Sequence, residues 1–254
     1  MSLETNNEIQ EVMKIKYVYS LIIIGTIIEL MNSCEIFDCI EGNGILKSEQ
    51  RLVAEFVGVE NSTSFDVEIM QDSTFSVEVI ADENILPYID TYVRSGNLRI
   101  ETNYSYCIRS SYARIEIHMP AVDYVELSGS GDIDVYDVDG NHLDIKNSGS
   151  GDININNTYL ISTLNIDLSG SGDVTAYGKA HMGNYHLAGS GDILADDMQV
   201  ELCYVTSSGS GDVYCFAYDL LNVTIGGSGD VIYKGSPETV EFDDNGSGDL
   251  IERN

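Results

Sequence analysis

The sequence predicts an all-β protein whose C-terminal half is a right-handed parallel β-helix, and two observations support this prediction. The tetrapeptide Gly-Ser-Gly-Asp occurs seven times at intervals of 18–21 residues, beginning at Gly129, Gly149, Gly170, Gly189, Gly209, Gly227 and Gly246. Apolar residues alternate with polar ones on both sides of each copy, as at Leu143 and Ile145 and again at Ile153 and Ile155. A fixed period of about 20 residues indicates stacked repeats, and period-two alternation indicates strands with one face turned inward. Parallel crossovers are nearly always right-handed.

Each Gly-Ser-Gly-Asp copy is expected to form the same corner of one coil. Successive coils stack about 4.8 Å apart, so a repeated corner lies above the preceding one, whereas a meander of hairpins does not require the same four residues at every second turn. We expect glycine to permit a positive φ there, and the Ser and Asp side chains to bond N–H groups of their own turn. Seven copies predict seven coils. The predicted structural glycines are Gly129, Gly131, Gly149, Gly151, Gly170, Gly172, Gly189, Gly191, Gly209, Gly211, Gly227, Gly229, Gly246 and Gly248.

The motif aspartates are expected to form a column along the solenoid. They are Asp132, Asp152, Asp173, Asp192, Asp212, Asp230 and Asp249. Neighbouring carboxylates repel each other by roughly 1 kcal/mol in water, whereas a carboxylate that accepts an N–H bond gains about 1.5–3 kcal/mol, so the column can exist without a metal. Structural capping of the turns is therefore the favoured interpretation. The alternative is calcium, which binds oxygen ligands at turns, although the known calcium-binding nonapeptide repeat has about half this period.

Two cysteines of the repeat region are expected to face each other inside one coil. Cys203 and Cys215 lie six residues on either side of Gly209, at positions that point inward. They could form a disulfide across the coil, but two buried thiols acting as small apolar side chains are the favoured interpretation. Their spacing matches no zinc motif, so we predict no metal site.

Residues 45–122 are predicted to form a β-rich section that continues into the β-helix of residues 123–254 and covers its first coil. Polar segments at 71–73 and 94–97 predict turns, and Asp82–Pro87 predicts one short helical turn. Whether this section is a separate domain stays open. Its predicted strands are Phe65–Ile69, Phe75–Val79, Leu98–Glu101 and Tyr112–Met119.

Residues 1–33 are predicted to be an N-terminal extension and a lipoprotein signal peptide, with Met13 as an alternative start, and residues 34–44 a tether. Lys14 and Lys16 precede the apolar run Leu21–Leu30, which is too short to span a membrane. The segment ending in Cys34 resembles the lipobox of bacterial lipoproteins, which implies acylation of that cysteine. The alternative is a buried N-terminal strand or helix.

Three further features, taken with this signal, resemble a known family. They are the segments Ala81–Pro87 and Gly96–Ile100 and the serial Gly-Ser-Gly-Asp motif. In this order they are similar to the autotransporter-adhesin "head GIN domain" proteins of Bacteroides and its relatives, and the resemblance covers residues 34–254. It implies a β-helix of the pectin-lyase-like type and a role in adhesion. It implies no catalytic residues, because none is assigned in the family.

Acidic residues outnumber basic ones by 42 to 12, which gives a formal net charge of −30. This charge argues strongly against nucleic acid as a partner, since phosphate binding needs clustered Lys and Arg, and it disfavours polyanionic glycans. Acidic residues are too abundant to single out the two opposed carboxylates of a hydrolase. The basic residues after Gly129 do not cluster as a lyase would need. They are Lys146, Lys179, Lys234 and Arg253.

We therefore expect a non-catalytic, exported envelope lipoprotein without a cofactor, anchored to the outer membrane by its lipid alone. The cell surface and the periplasm both stay open as the side that it faces. The protein would act as an adhesin whose partner is a host or envelope glycan or a surface protein. The alternative is a carbohydrate-binding envelope protein, because tyrosine rings stack on sugars; a polysaccharide hydrolase or lyase is the least favoured. Asn61-Ser62-Thr63 and Asp72-Ser73-Thr74 are candidate glycosylation acceptors. The tyrosines considered, whose commoner use is to fill strand faces, are Tyr88, Tyr92, Tyr104, Tyr106 and Tyr112.

Overall fold

The computed structural model contains a parallel β-solenoid of about six turns, which confirms the predicted all-β class and the β-helix. It describes residues 39–102, 108–109 and 112–253, and residues 40–254 form one unit. The predicted signal peptide, the N-terminal part of the tether and the lipidation site Cys34 lie outside the described residues and stay predictions. In the described part of the chain, no helix is long and apolar enough to cross a membrane.

The N-terminal section consists of short strands around one 3-10 turn. The strands are β1 (Ile40–Glu41), β2 (Leu46–Gln50), β3 (Gly58–Asn61), β4 (Asp66–Gln71), β5 (Ser76–Asp82), β6 (Ile89–Arg94), β7 (Asn97–Thr102), β8 (Ile108–Arg109) and β9 (Ala113–Met119). The four predicted strands correspond to β4, β5, β7 and β9, and the predicted helical turn is the 3-10 turn Leu86–Tyr88. β5 pairs antiparallel with β2 and β9, and β6 pairs antiparallel with β7.

The solenoid proper has two long faces joined by two corners. Its strands are β10 (Tyr124–Leu127), β11 (Ile133–Tyr136), β12 (His142–Asn147), β13 (Ile153–Leu168), β14 (Val174–Leu187), β15 (Ile193–Ser207), β16 (Val213–Ala217), β17 (Leu220–Ile225), β18 (Val231–Gly235), β19 (Thr239–Asp244) and β20 (Leu250–Glu252). The first face contains β10, β12, β17, β19 and the C-terminal halves of β13–β15. The second face contains β11, β16, β18, β20 and the N-terminal halves of β13–β15.

We call the turn from the first face to the second, which carries the Gly-Ser-Gly-Asp motif, the glycine corner. The turn from the second face back to the first is the second corner. In β13, β14 and β15 the strand continues around the second corner, where the sequence predicted two separate short strands.

The N-terminal section supplies the lowest coil whose corner the structure describes, and β7 and β9 pair in parallel with β3 and β4 beneath it. β3 pairs in parallel with β10, with Val59 opposite Val125, and β4 pairs in parallel with β11, with Val67 opposite Ile133. Residues 61–66 therefore form an additional corner beneath the first Gly-Ser-Gly-Asp copy.

The upper end of the solenoid is less regular. The seventh motif copy is followed only by the short strand β20, so that the structure has about six turns where the copies predict seven. β19 pairs with β17 and β20 pairs with β18. Val240 and Phe242 of β19 occupy core columns and are each 44% exposed, because no further coil of the described chain lies above them.

Inward-facing side chains stack in columns that form a continuous core. Burial of each large apolar side chain contributes about 1.5–3 kcal/mol, and every coil depends on the coils above and below it for this burial. One column of the second face consists of Val67, Ile133, Ile153, Val174, Ile193, Val213 and Val231.

Cys203 and Cys215 lie in this core as free, fully buried thiols. The structure therefore contains the favoured thiol pair, and the alternative disulfide between them is not formed. A hydrogen bond with the Cys215 side chain, together with burial, raises the pKa of Cys203 well above its usual value. A buried thiol of raised pKa is a poor nucleophile, so the pair serves as apolar packing.

Candidate binding surface

The motif glycines are needed because stacked backbones approach closely, and the positive φ expected from the sequence is not found at them. None of the fourteen has a positive φ. A Cβ added to any of them would lie 1.8–2.3 Å from a backbone carbonyl oxygen of the coil below. At Gly191, for example, the added Cβ would lie 2.1 Å from the Gly172 oxygen. The intervening serine donates its N–H across the same step, for example from Ser190 to the Gly170 oxygen at 3.0 Å. The corners therefore lie in one row, as predicted.

The lowest corner, residues 61–66, does not need glycine, and for this reason the sequence motif does not reveal it. Thr63 and Phe65 occupy its two glycine positions, and their carbonyl oxygens lie under Gly129 and Gly131. The steric requirement falls on the upper residue of each stacked pair. Thr63 and Phe65 are the lower residues of their pairs, so their side chains are tolerated under Gly129 and Gly131.

Asn61 braces this lowest corner, so the prediction that it is a glycosylation acceptor is wrong. Its side chain is 1% exposed. The Asn61 amide nitrogen donates to the Phe65 carbonyl at 2.9 Å, and its oxygen accepts the N–H and the hydroxyl of Thr63 at 3.0 and 2.7 Å. Asn147 makes equivalent bonds in a higher corner, to the Gly151 carbonyl and from the Gly149 N–H.

The second candidate acceptor, Asp72-Ser73-Thr74, is an exposed turn after β4 and stays a prediction. Asp72 Oδ1 accepts the Thr74 N–H at 2.6 Å, and its Oδ2 lies 2.6 Å from Nδ1 of His118. The hydrogen bonds from Thr74, followed by the one from His118, lower the pKa of Asp72 to about 2. Ser73 is exposed beside this carboxylate.

Each motif aspartate below the uppermost one, Asp249, bonds the coil above it and not its own turn, which corrects the expectation from the sequence. The Oδ1 atom of each accepts the N–H of the next aspartate at 2.7–2.8 Å, from the Asp132–Asp152 pair to the Asp230–Asp249 pair. Asp66 of the lowest coil begins the ladder, accepting from Asp132 at 3.1 Å. The reason is that turn N–H groups such as those of the serines already bond carbonyls of the coil below, which leaves the Asp N–H for the carboxylate.

We expect Asp192→Ala to lower the melting temperature and Asp192→Asn to leave it unchanged or raise it. Alanine removes the acceptor of the Asp212 N–H, which lies at 2.7 Å, at a cost of about 1.5–3 kcal/mol, or roughly 3–12 °C. Asparagine keeps an oxygen at this place and removes one charge from the column. Calorimetry of both variants separates the two effects, and equal losses would show that the charge matters and the acceptor does not.

The aspartate column lends the calcium hypothesis no support. One oxygen of each carboxylate below the top of the column is already bonded to the coil above. Within residues 39–102, 108–109 and 112–253, no three His, Cys, Asp or Glu side chains are grouped so that they could hold a metal ion.

Exposed serines line a shallow groove of about 540 Å³ along the glycine corner. The serines are Ser148, Ser169 and Ser208 in one column and Ser150, Ser171, Ser190, Ser210 and Ser228 in the other. Ala188 replaces a serine in the first column. The groove offers hydroxyl groups over a glycine backbone, and its lining contains neither an aromatic ring nor a charge, so we assign it no ligand.

The second corner is irregular where the glycine corner is regular. Asp137 and Asn157 have φ values of 59° and 58°, and Gly178 has a φ of 133°. The β13–β14 register shifts on both sides of Thr158, and the β14–β15 register shifts just before Tyr177. Asp and Asn tolerate the left-handed region better than other non-glycine residues, and bulges redirect side chains. The in–out alternation of the strands is therefore interrupted at this corner.

A cleft of about 620 Å³ lies at the second corner, and two exposed tyrosines line it. Tyr159 and Tyr177 are 61% and 43% exposed. The Thr158 hydroxyl donates to the Tyr177 carbonyl at 2.7 Å, and the Tyr159 hydroxyl donates to Asp137 Oδ1 at 3.3 Å. The lining is Asn157, Thr158, Tyr159, Tyr177, Gly178, Lys179, Asp197 and Gln199. Two aromatic rings on adjacent coils thus share one cleft with two amides.

The charges of this cleft are nearly balanced. Its lining contains one cation, Lys179, and one carboxylate, Asp197. Lys234 Nζ lies 2.7 Å from Asp196 and 3.5 Å from Asp197, and the hydrogen bond to Asp196 raises the pKa of Lys234. A glycoside hydrolase uses two opposed carboxylates, and the lining holds only one. The arrangement is suited to binding a polar molecule that carries flat apolar surfaces.

Neither the repeated motif nor the tyrosines of the N-terminal section predict this cleft. Of those, Tyr92 and Tyr112 are exposed and do not fill the core, and Tyr104 and Tyr106 lie outside the described residues. A signal was nevertheless present. Tyr136, Tyr159, Tyr177 and Tyr218 each fall seven to ten residues after the first glycine of a motif copy.

Comparisons with known proteins agree with this fold. A family model described as "Putative auto-transporter adhesin, head GIN domain" matches residues 55–237. A solved structure of a putative adhesin from Bacteroides fragilis is similar over 84% of this chain and 100% of its own, with a TM-score of 0.80 and 24% identity. A putative lipid binding protein and a putative adhesin, both from Parabacteroides distasonis, match over 85% of this chain and 100% of theirs, with TM-scores of 0.67 and 0.66 and identities of 23% and 25%. No curated protein matches the chain.

Proposed function

The chain belongs to the family of putative auto-transporter adhesins with a head GIN domain, and on this premise we propose that it is a non-catalytic surface protein that binds its partner through the side of its solenoid. The observation that carries the proposal is the cleft at the second corner, where exposed tyrosines and amides lie on a rigid stack of coils. A β-solenoid presents such side chains in a fixed array, which lowers the entropic cost of binding.

The proposal includes export and a lipid anchor at Cys34. Lys14, Lys16 and the apolar run Leu21–Leu30 have the order of a bacterial export signal. Cys39 is disulfide-bonded, which is typical of proteins that leave the reducing cytosol. The net charge of −30 suits an exposed surface that resists nonspecific association. The protein would be attached to the outer membrane by its lipid alone, facing the cell surface, with a glycan or a surface protein as partner.

Protease treatment of intact producing cells tests the location. We expect externally added protease to remove the wild-type chain from the membrane fraction, and the Cys34→Ala variant to appear in the soluble fraction without a lipid. Digestion only after the cells are lysed would contradict surface exposure, and a Cys34→Ala variant that stays in the membrane fraction would contradict the anchor.

An attachment assay tests the binding function. Cells that display the chain should attach to host cells or to immobilised envelope material more strongly than cells that lack it. Equal attachment of the two strains to every surface offered would contradict the proposed adhesin function.

A further inference from the structure

We propose that the cleft at the second corner binds a neutral oligosaccharide, with Tyr159 and Tyr177 as stacking platforms. This inference rests on the proposed surface-binding function and gives it a ligand class. The two rings are the most exposed aromatic groups of the cleft, and an aromatic face packs against the apolar C–H face of a sugar ring while the hydroxyls at its rim remain free for hydrogen bonds.

The polar groups of the cleft match the hydroxyls of a sugar. Asn157 and Gln199 each provide an amide that both donates and accepts, which a sugar hydroxyl also does. Both line the same cleft as the two rings. A peptide that binds as an added strand would require a free sheet edge, whereas β14 at this corner lies inside the sheet, with β13 on one side and β15 on the other.

The balanced charges of the cleft favour a neutral oligosaccharide over an anionic one. The cleft contributes Lys179 and Asp197, and Lys234 lies close to the latter. No excess of positive charge is left to hold uronate or sulfate groups, and the chain as a whole carries −30. The negative charge of the chain would therefore repel an anionic sugar at long range, and the anionic groups of that sugar would find no excess of cations within the cleft.

The backbone of the corner holds the two rings in place before any ligand arrives. Asn157 and Gly178, which both line the cleft, have positive φ. The buried Thr158 side chain ties one coil to the next through its bond to the Tyr177 carbonyl. Uncommon backbone conformations concentrate at functional sites, and a preorganised site loses little entropy on binding.

A depression on the first face provides a matched comparison. It has a volume of about 530 Å³ and is lined by Tyr124 and Tyr204 among others. Its polar groups already bond each other: the Asn184 amide donates to Asn165 at 2.7 Å, and the Tyr124 hydroxyl donates to Glu126. A sugar at that surface would have to replace these bonds, so we assign the ligand to the second corner.

The test is titration of the full-length chain with neutral hexasaccharides of glucose, mannose and N-acetylglucosamine, and with a galacturonate hexamer as the anionic control. Tyrosine fluorescence reports binding, since the chain has 16 tyrosines and no tryptophan, and calorimetry gives the affinity. We expect at least one neutral hexasaccharide to bind and the galacturonate hexamer to fail. Tyr159→Ala combined with Tyr177→Ala should weaken binding by about tenfold or more. Tyr204→Ala on the first face should bind like the wild type.

A second measurement does not depend on the folding of any variant. The bound hexasaccharide should protect Tyr159 and Tyr177 of the wild-type chain from nitration and leave Tyr204 and Tyr218 reactive. Binding of no neutral hexasaccharide, loss of binding in Tyr204→Ala, or unprotected Tyr159 and Tyr177 would each overturn the inference. If cells that display the chain still attach to their target surface in those cases, the proposed surface-binding function stands and only the glycan assignment falls.

Discussion

Gly191→Ala is expected to lower the melting temperature by about 6–12 °C, because the added methyl group has no space between two coils. The Cβ of residue 191 would lie 2.1 Å from the Gly172 carbonyl oxygen. The backbone of the lower coil cannot rotate away from the methyl group as a side chain could. Overpacking of this kind costs about 3 kcal/mol. In a chain of this size that cost corresponds to a fall in melting temperature of about 6–12 °C. Differential scanning calorimetry of the variant measures the shift.

Gly226→Ala is the matched control. Gly226 directly precedes the sixth motif copy, at a place where other copies carry Ser128, Ser148 or Ser208. A Cβ there would meet only the Ser207 oxygen at 3.8 Å, and its φ is not positive. We expect the melting temperature of this variant to stay within about 1–2 °C of the wild type. If Gly191→Ala were as harmless as Gly226→Ala, the close approach of coils would not explain why the motif contains glycine.

The stacked architecture could be predicted from the sequence because the motif recurs at each place where one coil contacts the next. Any residue larger than glycine at Gly149 or Gly151 would strike the coil below, so that the requirement recurs once per turn and becomes visible as a period. The physical reason given for it was wrong: positive φ was expected, and a shared column of carbonyl oxygens is what the structure contains. Spacing alone does not distinguish a conformational need for glycine from a steric one.

The lowest coil and the cleft could not be predicted, for two different reasons. At the lowest coil, Thr63 and Phe65 stand where higher coils have glycine, because only the upper partner of a stacked pair is constrained. At the second corner, Asn157 and Tyr159 lie on backbone whose register shifts from coil to coil. A surface that varies between coils leaves only an irregular trace in the sequence, here the tyrosines seven to ten residues after the first glycine of four motif copies.

Replacing Gly183 and Tyr185 together is expected to be nearly neutral, although each single replacement is costly. Tyr185 stands between Ile166 and Val205 in its column, and Gly183 stands between Leu164 and Cys203. The Tyr185 ring folds back over Gly183, since a Cβ on residue 183 would lie 2.7 Å from the Tyr185 hydroxyl oxygen. Gly183 and Tyr185 together thus fill the same space in their coil that Leu164 and Ile166 fill in the coil below.

A double-mutant cycle measures this compensation. Gly183→Leu alone should clash with the ring and cost about 3 kcal/mol, and Tyr185→Ile alone should leave a void above Gly183 and cost about 2 kcal/mol. The double variant recreates the packing of the coil below, so its free energy of unfolding should lie within about 1 kcal/mol of the wild type, which requires a coupling energy of about 4 kcal/mol or more. Urea unfolding of the four proteins supplies the values.

Tyr185→Phe separates the ring from its hydroxyl in the same experiment. Within the described part of the chain, the Tyr185 hydroxyl is buried without a hydrogen-bond partner, and burial raises its pKa well above the usual value. Removing an unsatisfied buried hydroxyl while keeping the ring should be neutral or stabilise the fold by about 1 kcal/mol. Additive costs in the cycle would mean that the two positions pack independently, and a large loss in Tyr185→Phe would mean that the hydroxyl has a bonding role. Either result would contradict the account in which Gly183 is present solely to admit a large ring into the core.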